Sequence, residues 1–410
     1  MSRAVHAYTS ITSNYLPKAR VLAESVKRVD PDVQFHLILS DVPPVGFNLA
    51  DEPFDNLITI EELVTDDFPA WVFKHSVVEL CTAVKGAAMV HLFERAGAEQ
   101  VFYFDPDIVV FGRLQELQSE LAQANLVLTP HLTDPETTER GILDNEMSSL
   151  RHGVFNLGFI GVRNTPEGLR FAQWWALRLS RYCHDNLPLG IFTDQKWVDL
   201  APCFFDGVRV LRSPGFNVAT WNISNRLATG SLDEGILINA EPLGFYHFSG
   251  FDSGDQATML AVYGKQSPLL TELREWYIRA CEGHGQSAIG SLPCRYDFFS
   301  DGERISRDHR LLYREREDLQ DSYPNPYEAS GPHCYKAWYA AHPHEHPPGD
   351  VVRIARGVPL AVLFEELARH FNLMLVEGRG SNRIKRGILR VWVKTLQLLA
   401  GLARRGAASA

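Results

Sequence analysis

Two aspartates close an apolar stretch of the sequence and could bind a metal ion. Asp105 and Asp107 stand in "VFYFDPDIVVFG", on either side of Pro106. In an extended chain, residues two apart point to the same side, so both carboxylates can face one point. Carboxylate oxygens suit Mg²⁺ or Mn²⁺, which they usually share with phosphate oxygens. The alternative is an ordinary turn at a strand end, where Asp and Pro are also common.

Two later segments place polar side chains beside apolar stretches. In "HGVFNLGFIGVRN", Asn156 offers an amide to hydroxyl groups, and Gly158 allows a close approach of the backbone. In "FTDQKWVDL", Asp194 and Gln195 form a short polar pair that could orient a ligand. Capping of a helix by Thr193 or Asp194 is a compatible alternative.

A histidine enters a glycine-containing loop in "YHFSGFDSGD". His247 follows the apolar residues "LGFY" and precedes Ser249 and Gly250. A single histidine is more often a satisfied core residue than a ligand. This sequence context nevertheless suits a metal ligand that leads into a phosphate-binding loop.

The first half of the chain alternates strand-like and helix-like segments. Strands are predicted in "AVHAYTSI", "VQFHLILSD", "QVFYFDPDIVVFG" and "ANLVLTPHL", and helices in "LPKARVLAESVKRV" and "HSVVELCTAVKGAAMVHLFERAG". This order predicts an α/β fold, Rossmann-like, with a mostly parallel sheet flanked by helices. Ligands of such sheets bind beyond the carboxyl ends of the strands, where residues 8–12, Asp41, Asp105 and His131 would lie.

Composition and charge limit the function classes. The formal net charge of −10 argues against nucleic acid as a partner. The N-terminal residues lack the apolar region of a secretory signal, and no stretch approaches about 18 consecutive apolar residues. Six cysteines are scattered without CxxC spacing, which is typical of reduced thiols. We therefore expect a cytoplasmic protein.

The pattern of apolar and charged residues along the sequence changes near residue 265. We predict a domain of residues 1–265 and a mainly helical extension of residues 266–410. Its last part, "NRIKRGILRVWVKTLQLLAGLARRGAASA", is basic and amphipathic. This tail is either a helix packed on the domain or a helix lying on an anionic membrane surface, which would make the protein membrane-peripheral.

Taken in chain order, these motifs resemble those of nucleotide-sugar glycosyltransferases with the GT-A fold. They are most similar to the retaining, family 8-like group that includes glycogenin and the bacterial lipooligosaccharide galactosyltransferases. The resemblance covers about residues 4–260, and Leu157 replaces the usual serine of its second motif. It implies that Asp105, Asp107 and His247 hold Mn²⁺ or Mg²⁺, and that Asp194 and Gln195 lie beneath the reacting anomeric carbon.

The resemblance also implies a donor site. Its residues would be Tyr8, Thr9, Thr12, Asp41, Lys85, Asp105, Asn156, Gly158, Ser249 and Gly250. The family often continues after the histidine with Lys-Pro-Trp, whereas this chain has Asp252-Ser253-Gly254, which leaves the cation for the diphosphate unassigned. Lys85 is the candidate, although a lysine at this position could also lie at the rim of a helix.

The predicted function is metal-dependent transfer of a sugar from a nucleoside-diphosphate sugar, with UDP implied by the resemblance. The acceptor would be a hydroxyl of a glycan or growing polysaccharide, a lipid-linked glycan or a protein, and oligomerisation is left open. Retention is implied, while inversion would need a carboxylate base such as Asp252 or Asp255. Further alternatives are a sugar-phosphate nucleotidyltransferase, which would need a glycine-rich loop that "YTSITSNYLPKAR" lacks, and a non-catalytic scaffold.

Overall fold

The computed structural model describes residues 5–64, 66–345 and 392–396. Residues 1–341 form one unit and residues 342–410 another. In the second unit, a 3₁₀ helix spans Pro343–Glu345 and residues 392–396 are helical. Part of the extension that is predicted to be helical, "PLAVLFEELARHFNLML" at residues 359–375, and most of the basic tail lie outside the described residues. The membrane contact of the tail therefore stays a prediction. Within the described ranges, no helix is long and apolar enough to cross a membrane.

A seven-stranded sheet forms the centre of the first unit. The strands of the whole first unit, in chain order, are β1 (Val5–Ile11), β2 (Gln34–Leu39), β3 (Asn56–Thr59), β4 (Gln100–Phe104), β5 (Ile108–Val110), β6 (Leu126–Pro130), β7 (Phe155–Arg163), β8 (Asp185–Asn186), β9 (Ile191–Phe192), β10 (Val208–Val210), β11 (Ala228–Ser231), β12 (Gly235–Ile238), β13 (Glu241–Pro242) and β14 (Phe245–His247). The sheet order is β10-β6-β7-β4-β1-β2-β3. Only β7 runs antiparallel to its neighbours, so the sheet is mostly parallel, as predicted.

Helices cover both faces of this sheet. The helices of the first unit, in chain order, are α1 (Leu16–Val29), α2 (Ile60–Leu63), α3 (Phe68–Phe73), α4 (Val77–Ala83), α5 (Lys85–Glu94), α6 (Leu114–Ala122), α7 (Glu139–Gly141), α8 (Met147–His152), α9 (Pro166–Tyr182), α10 (Gln195–Val198), α11 (Ala201–Phe204), α12 (Asp255–Tyr263), α13 (Leu269–Gly283), α14 (Gln286–Ile289), α15 (Arg307–Glu315), α16 (Glu317–Ser322) and α17 (Tyr335–Ala341). A π-helix, Ile142–Glu146, joins α7 to α8. Alternation along β1 sends Tyr8 to a core with α4, α5 and α9, and Ala7 to a core with α1 and α6. The α/β prediction is therefore confirmed.

The stretch that carries the two aspartates is two strands rather than the predicted single strand. β4 ends at Phe104 in the central sheet, residues 105–107 form a turn, and β5 pairs with β14 in a separate antiparallel ribbon. Pro106 has no N–H group and cannot continue a ladder of strand hydrogen bonds. The chain therefore leaves the central sheet at this residue, and both carboxylates lie in the turn between β4 and β5.

Helices beyond residue 265 pack against the early part of the chain. The Arg310 guanidinium is buried and donates to the carbonyl oxygens of Phe73 (3.1 Å) and His75 (2.7 Å). Arg314 donates to the Glu79 carboxylate at 2.6 Å. Burial alone would raise the pKa of Glu79, but Arg314 lowers it to about 2. These contacts fix the start of α4; how function divides between residues 1–265 and 266–410 stays a prediction.

Candidate functional site

A cavity of about 740 Å³ opens beside the carboxyl ends of β1 and β4. Because β7 runs antiparallel to β4, its first residues lie at the same edge of the sheet. Eleven of the predicted site residues line the cavity: Thr12, Lys85, Asp105, Asp107, Asn156, Gly158, Asp194, Gln195, His247, Ser249 and Gly250. The motifs, which are far apart in the sequence, are therefore brought together.

The two aspartates and the histidine form a compact triad. The β5–β14 ribbon sets Ile108 opposite His247, which brings His247 beside Asp107. Its Nε2 lies 3.0 Å from Asp107 Oδ1 and 3.8 Å from Asp105 Oδ2. One ligand atom from each residue lies within 4.8 Å of the others, so the set fits a divalent ion with oxygen and nitrogen ligands.

Asn156 orients the histidine. Its amide oxygen lies 3.1 Å from His247 Nδ1. An amide oxygen only accepts hydrogen bonds, so Nδ1 carries the proton and Nε2 faces the carboxylates. Burial lowers the pKa of His247, but Asp107 and then Asp105 outweigh this and raise it. Metal binding at Nε2 would therefore displace a proton.

Lys85 lies beneath the triad and contacts two carboxylates. Its Nζ is 3.2 Å from Asp105 Oδ1 and 2.9 Å from Asp194 Oδ2, and it also donates to the Leu157 carbonyl oxygen at 3.2 Å. The Tyr103 hydroxyl donates to the same Asp105 oxygen. Oδ1 of Asp105 is thus occupied, which leaves Oδ2 as the atom facing His247. Lys85 is buried at the cavity floor and does not lie at a helix rim.

The predicted Asp-Gln pair sits in a constrained turn at the start of α10. Thr193 has a φ of 42°, which is unusual for a β-branched residue. Burial raises the pKa of Asp194, although Lys85 opposes the shift. Gln195 accepts from the Leu157 N–H at 3.1 Å and donates to the His152 carbonyl at 3.0 Å. Its amide is therefore held by the backbone on both sides.

Gly158 leaves room for the His247 ring. A Cβ atom built at this position would stand 2.4 Å from His247 Cε1 and 2.9 Å from Asn156 Oδ1. Its carbonyl oxygen also accepts a hydrogen bond from the Asp105 N–H at 2.7 Å. The glycine that the sequence suggested for a close backbone approach is therefore packed directly against the triad.

Three predicted donor residues do not line this cavity. Tyr8 is fully buried and donates to the Lys85 carbonyl oxygen at 2.7 Å, and Thr9 is buried in the same strand. Asp41 accepts from the backbone N–H groups of Ser13 (3.2 Å) and Arg295 (3.0 Å). It lines a second cavity instead. Their roles in binding a nucleotide stay predictions.

Sequence reasoning missed several residues of the cavity. Tyr103 precedes Asp105 by two positions, so strand alternation could have placed it on the same side. Tyr15 lines the cavity from the short 3₁₀ helix Ser13–Tyr15 that precedes α1. The Trp221 ring lies 5.3 Å from the His247 ring and 5.5 Å from the His131 ring. No local sequence signal marks Trp221, because it lies in an irregular segment.

One wall of the cavity carries polar atoms that have no hydrogen-bond partner within the described chain. They are Asn145 Oδ1, Trp221 Nε1 and both amide atoms of Gln256. The Tyr263 hydroxyl donates to Asp144 Oδ2 at 2.8 Å and ties α12 to the π-helix. Buried polar atoms without partners are costly, so this part of the cavity lining has unsatisfied hydrogen-bonding groups.

Comparisons with known proteins give distant likenesses. No protein-family model matches the chain. The uncharacterized protein YfnD of Bacillus subtilis (strain 168) is 26% identical over 309 residues, which are 70% of this chain and 94% of YfnD. YfnF of the same organism is 26% identical over 153 residues, 37% of this chain and 50% of YfnF.

Two solved structures of glycosyltransferases are also similar to the chain. The galactosyltransferase LgtC, in complex with donor and acceptor sugar analogs, is 16% identical with a TM-score of 0.41, over 70% of this chain and 98% of its own. The glycosyltransferase GlyE of Streptococcus pneumoniae TIGR4 is 17% identical with a TM-score of 0.40, over 72% of this chain and 66% of its own.

Proposed function

We propose that the chain is a glycosyltransferase that moves a sugar from a nucleoside-diphosphate sugar, with UDP the expected nucleotide, to the hydroxyl of a glycan, lipid-linked glycan or protein. The observation that carries the proposal is the meeting of Asp105, Asp107 and His247 in the same cavity as the Asp194-Gln195 pair. A divalent ion held by the triad, Mn²⁺ or Mg²⁺, would neutralise the diphosphate as it leaves.

The protein residues position the reacting groups. Lys85 and Tyr103 fix the Asp105 carboxylate from below, and backbone contacts hold Gln195 rigidly in the wall. Asp194 would lie beneath the anomeric carbon and stabilise its positive character. The acceptor hydroxyl would attack from the side of the leaving group and give its proton to a diphosphate oxygen, so the anomeric configuration is retained.

Calorimetry tests the donor half of the proposal. UDP, GDP, ADP and dTDP are titrated into the protein with Mn²⁺, and hydrolysis of the matching sugar nucleotide is followed by nucleotide release. We expect binding of one diphosphate and a loss of hydrolysis in Asp107→Asn. Asp233→Asn, an exposed aspartate in a β-hairpin turn, is the matched control. Absence of binding across all four nucleotides would contradict the proposal, and NMR of the product decides between retention and inversion.

The wall with unpartnered polar atoms is the proposed acceptor side. The Trp221 ring links this wall to His247 of the triad. The amide groups of Asn145 and Gln256 in the wall would bind sugar hydroxyls. A panel of methyl glucoside, galactoside and mannoside serves as the probe. We expect Gln256→Leu to reduce transfer to the best glycoside about tenfold while donor hydrolysis continues, because each buried amide hydrogen bond contributes roughly 1 kcal/mol. Equal losses of transfer and hydrolysis would contradict this assignment.

A further inference from the structure

An ion pair between a buried lysine and a half-exposed aspartate lies beside the proposed diphosphate site. The Lys18 side chain, in α1, is 2% exposed, and its ammonium contacts the Asp252 carboxylate. The Tyr15 hydroxyl donates to the same carboxylate at 2.7 Å. Lys18 Nζ also lies 4.0 Å from the centre of the Tyr15 ring and 5.5 Å from that of Phe251.

The two partners of this pair are held differently. Lys18 belongs to the first turn of a 14-residue helix that is packed on the sheet. The Asp252 side chain is 49% exposed, and glycines with φ of 74° and 82° stand two positions before and two after it. Glycine adopts such angles without strain and allows the backbone to rotate. Asp252 can therefore leave the pair at a smaller cost than Lys18 can.

The segment that carries Asp252 borders the metal-binding triad. The Phe248 N–H donates to the Asp107 carbonyl oxygen at 2.8 Å. Ser249 and Gly250 line the cavity, as does Tyr15, whose ring contacts Lys18. The Lys18 ammonium thus contacts Tyr15, a residue of the cavity wall, without itself lining the cavity.

Charge balance indicates what this ammonium could bind. The diphosphate of a donor nucleotide is an anion at neutral pH, and the triad already contains two carboxylates for a divalent ion to balance. Lys85 is engaged by Asp105 and Asp194. Of these two lysines, Lys18 has only one carboxylate partner, and that carboxylate is half exposed.

We propose that Lys18 binds the diphosphate of the donor nucleotide and that Asp252 occupies Lys18 until the nucleotide arrives. The inference rests on the proposed function, because it needs a nucleoside diphosphate in the cavity. Asp252 and the diphosphate compete for one ammonium. Removing the lysine therefore weakens nucleotide binding, whereas removing the competing charge strengthens it.

Two substitutions in the same ion pair separate this role from a structural one. Lys18→Met keeps the apolar stem and removes the charge, while Asp252→Asn keeps the shape and its hydrogen bonds. With the nucleoside diphosphate that binds wild-type protein, calorimetry should show Kd raised about tenfold in Lys18→Met and lowered several-fold in Asp252→Asn. Lys18→Arg should restore most of the affinity, and the matching nucleoside, which lacks phosphate, should bind all variants alike.

The outcomes distinguish the inference from the function on which it rests. If the pair only holds the loop in place, Lys18→Met and Asp252→Asn shift Kd in the same direction, and the inference is wrong. An unchanged Kd in Lys18→Met also overturns it. If the wild-type protein binds none of the four nucleoside diphosphates, the proposed function itself fails. Circular dichroism and the unfolding midpoint of each variant report whether the fold is retained.

Discussion

Replacing Lys85 by methionine removes the one ammonium that two carboxylates share at the cavity floor. Methionine keeps the apolar contacts of the lysine stem, so the change isolates the charge. The Asp194 side chain is 4% exposed and would remain buried without its cation. Breaking a buried ion pair in this way costs about 3–5 kcal/mol. Asp105, at 27% exposure, retains water and adds less to the loss.

Urea unfolding at pH 7.5, monitored by tryptophan fluorescence and circular dichroism, measures the loss of unfolding free energy in Lys85→Met. Asp194→Asn alone should cost less, about 1–3 kcal/mol, because Lys85 keeps Asp105 and the Leu157 carbonyl oxygen. In the double variant neither buried charge remains. The loss of unfolding free energy in the double variant should be smaller than the sum of the losses in the two single variants, by about 1–3 kcal/mol.

The pH dependence of Lys85→Met provides an internal check. Without its cation, the buried Asp194 carboxyl has a pKa raised further above its ordinary value, so it takes up a proton as the pH falls. The deficit in unfolding free energy should therefore shrink between pH 7.5 and pH 5. A Lys85→Met protein within about 1 kcal/mol of wild type, or strictly additive single losses, would refute the shared-cation account.

Two further predictions concern His247, the candidate metal ligand, and acid stability. Gly158→Ala should weaken Mn²⁺ binding about tenfold in calorimetry, because the added Cβ would displace the His247 ring. Gly161→Ala, on the same strand, crowds the Phe102 ring in the core instead and should leave the Kd for Mn²⁺ unchanged. Equal affinities for Mn²⁺ in both variants would contradict the packing argument. Burial lowers the pKa of His75 to about 3 and of His184 to about 4. The unfolded chain takes up protons below about pH 6.5, so stability should fall as the pH drops from 6.5 to 4, by roughly 3 kcal/mol for His75 alone; a flat unfolding midpoint in thermal scans over this range would contradict it.

The elements of the central sheet could be predicted because their patterns are local. Runs of Val, Phe, Tyr and Ile indicate β1, β2 and β4, and helical spacing indicates α1. The split between β4 and β5 was not predicted, since apolar residues continue on both sides of Pro106. Only the pairing of β5 with β14, far along the chain, shows that the strand changes sheets.

The candidate site was predictable where a motif carries its own chemistry. Asp105, Asp107 and His247 were found from their residue types and flanking sequence, and the structure brings them together. Lys18 and Trp221 were not found, because a lysine in an amphipathic helix and a tryptophan in a loop are ordinary. Their positions depend on tertiary contacts, which a single sequence does not display.

The arginines that hold the start of α4 have a consequence for how the chain is made. Arg314 and Glu79 are 235 residues apart, and synthesis proceeds at about 5–20 residues per second. For roughly 12–47 s, a nascent chain can build its sheet while the Glu79 carboxylate still lacks this partner. A chain that stopped near residue 265 would never acquire it. The helices leading to Lys85 therefore reach their final support only when the second half of the protein has been synthesised.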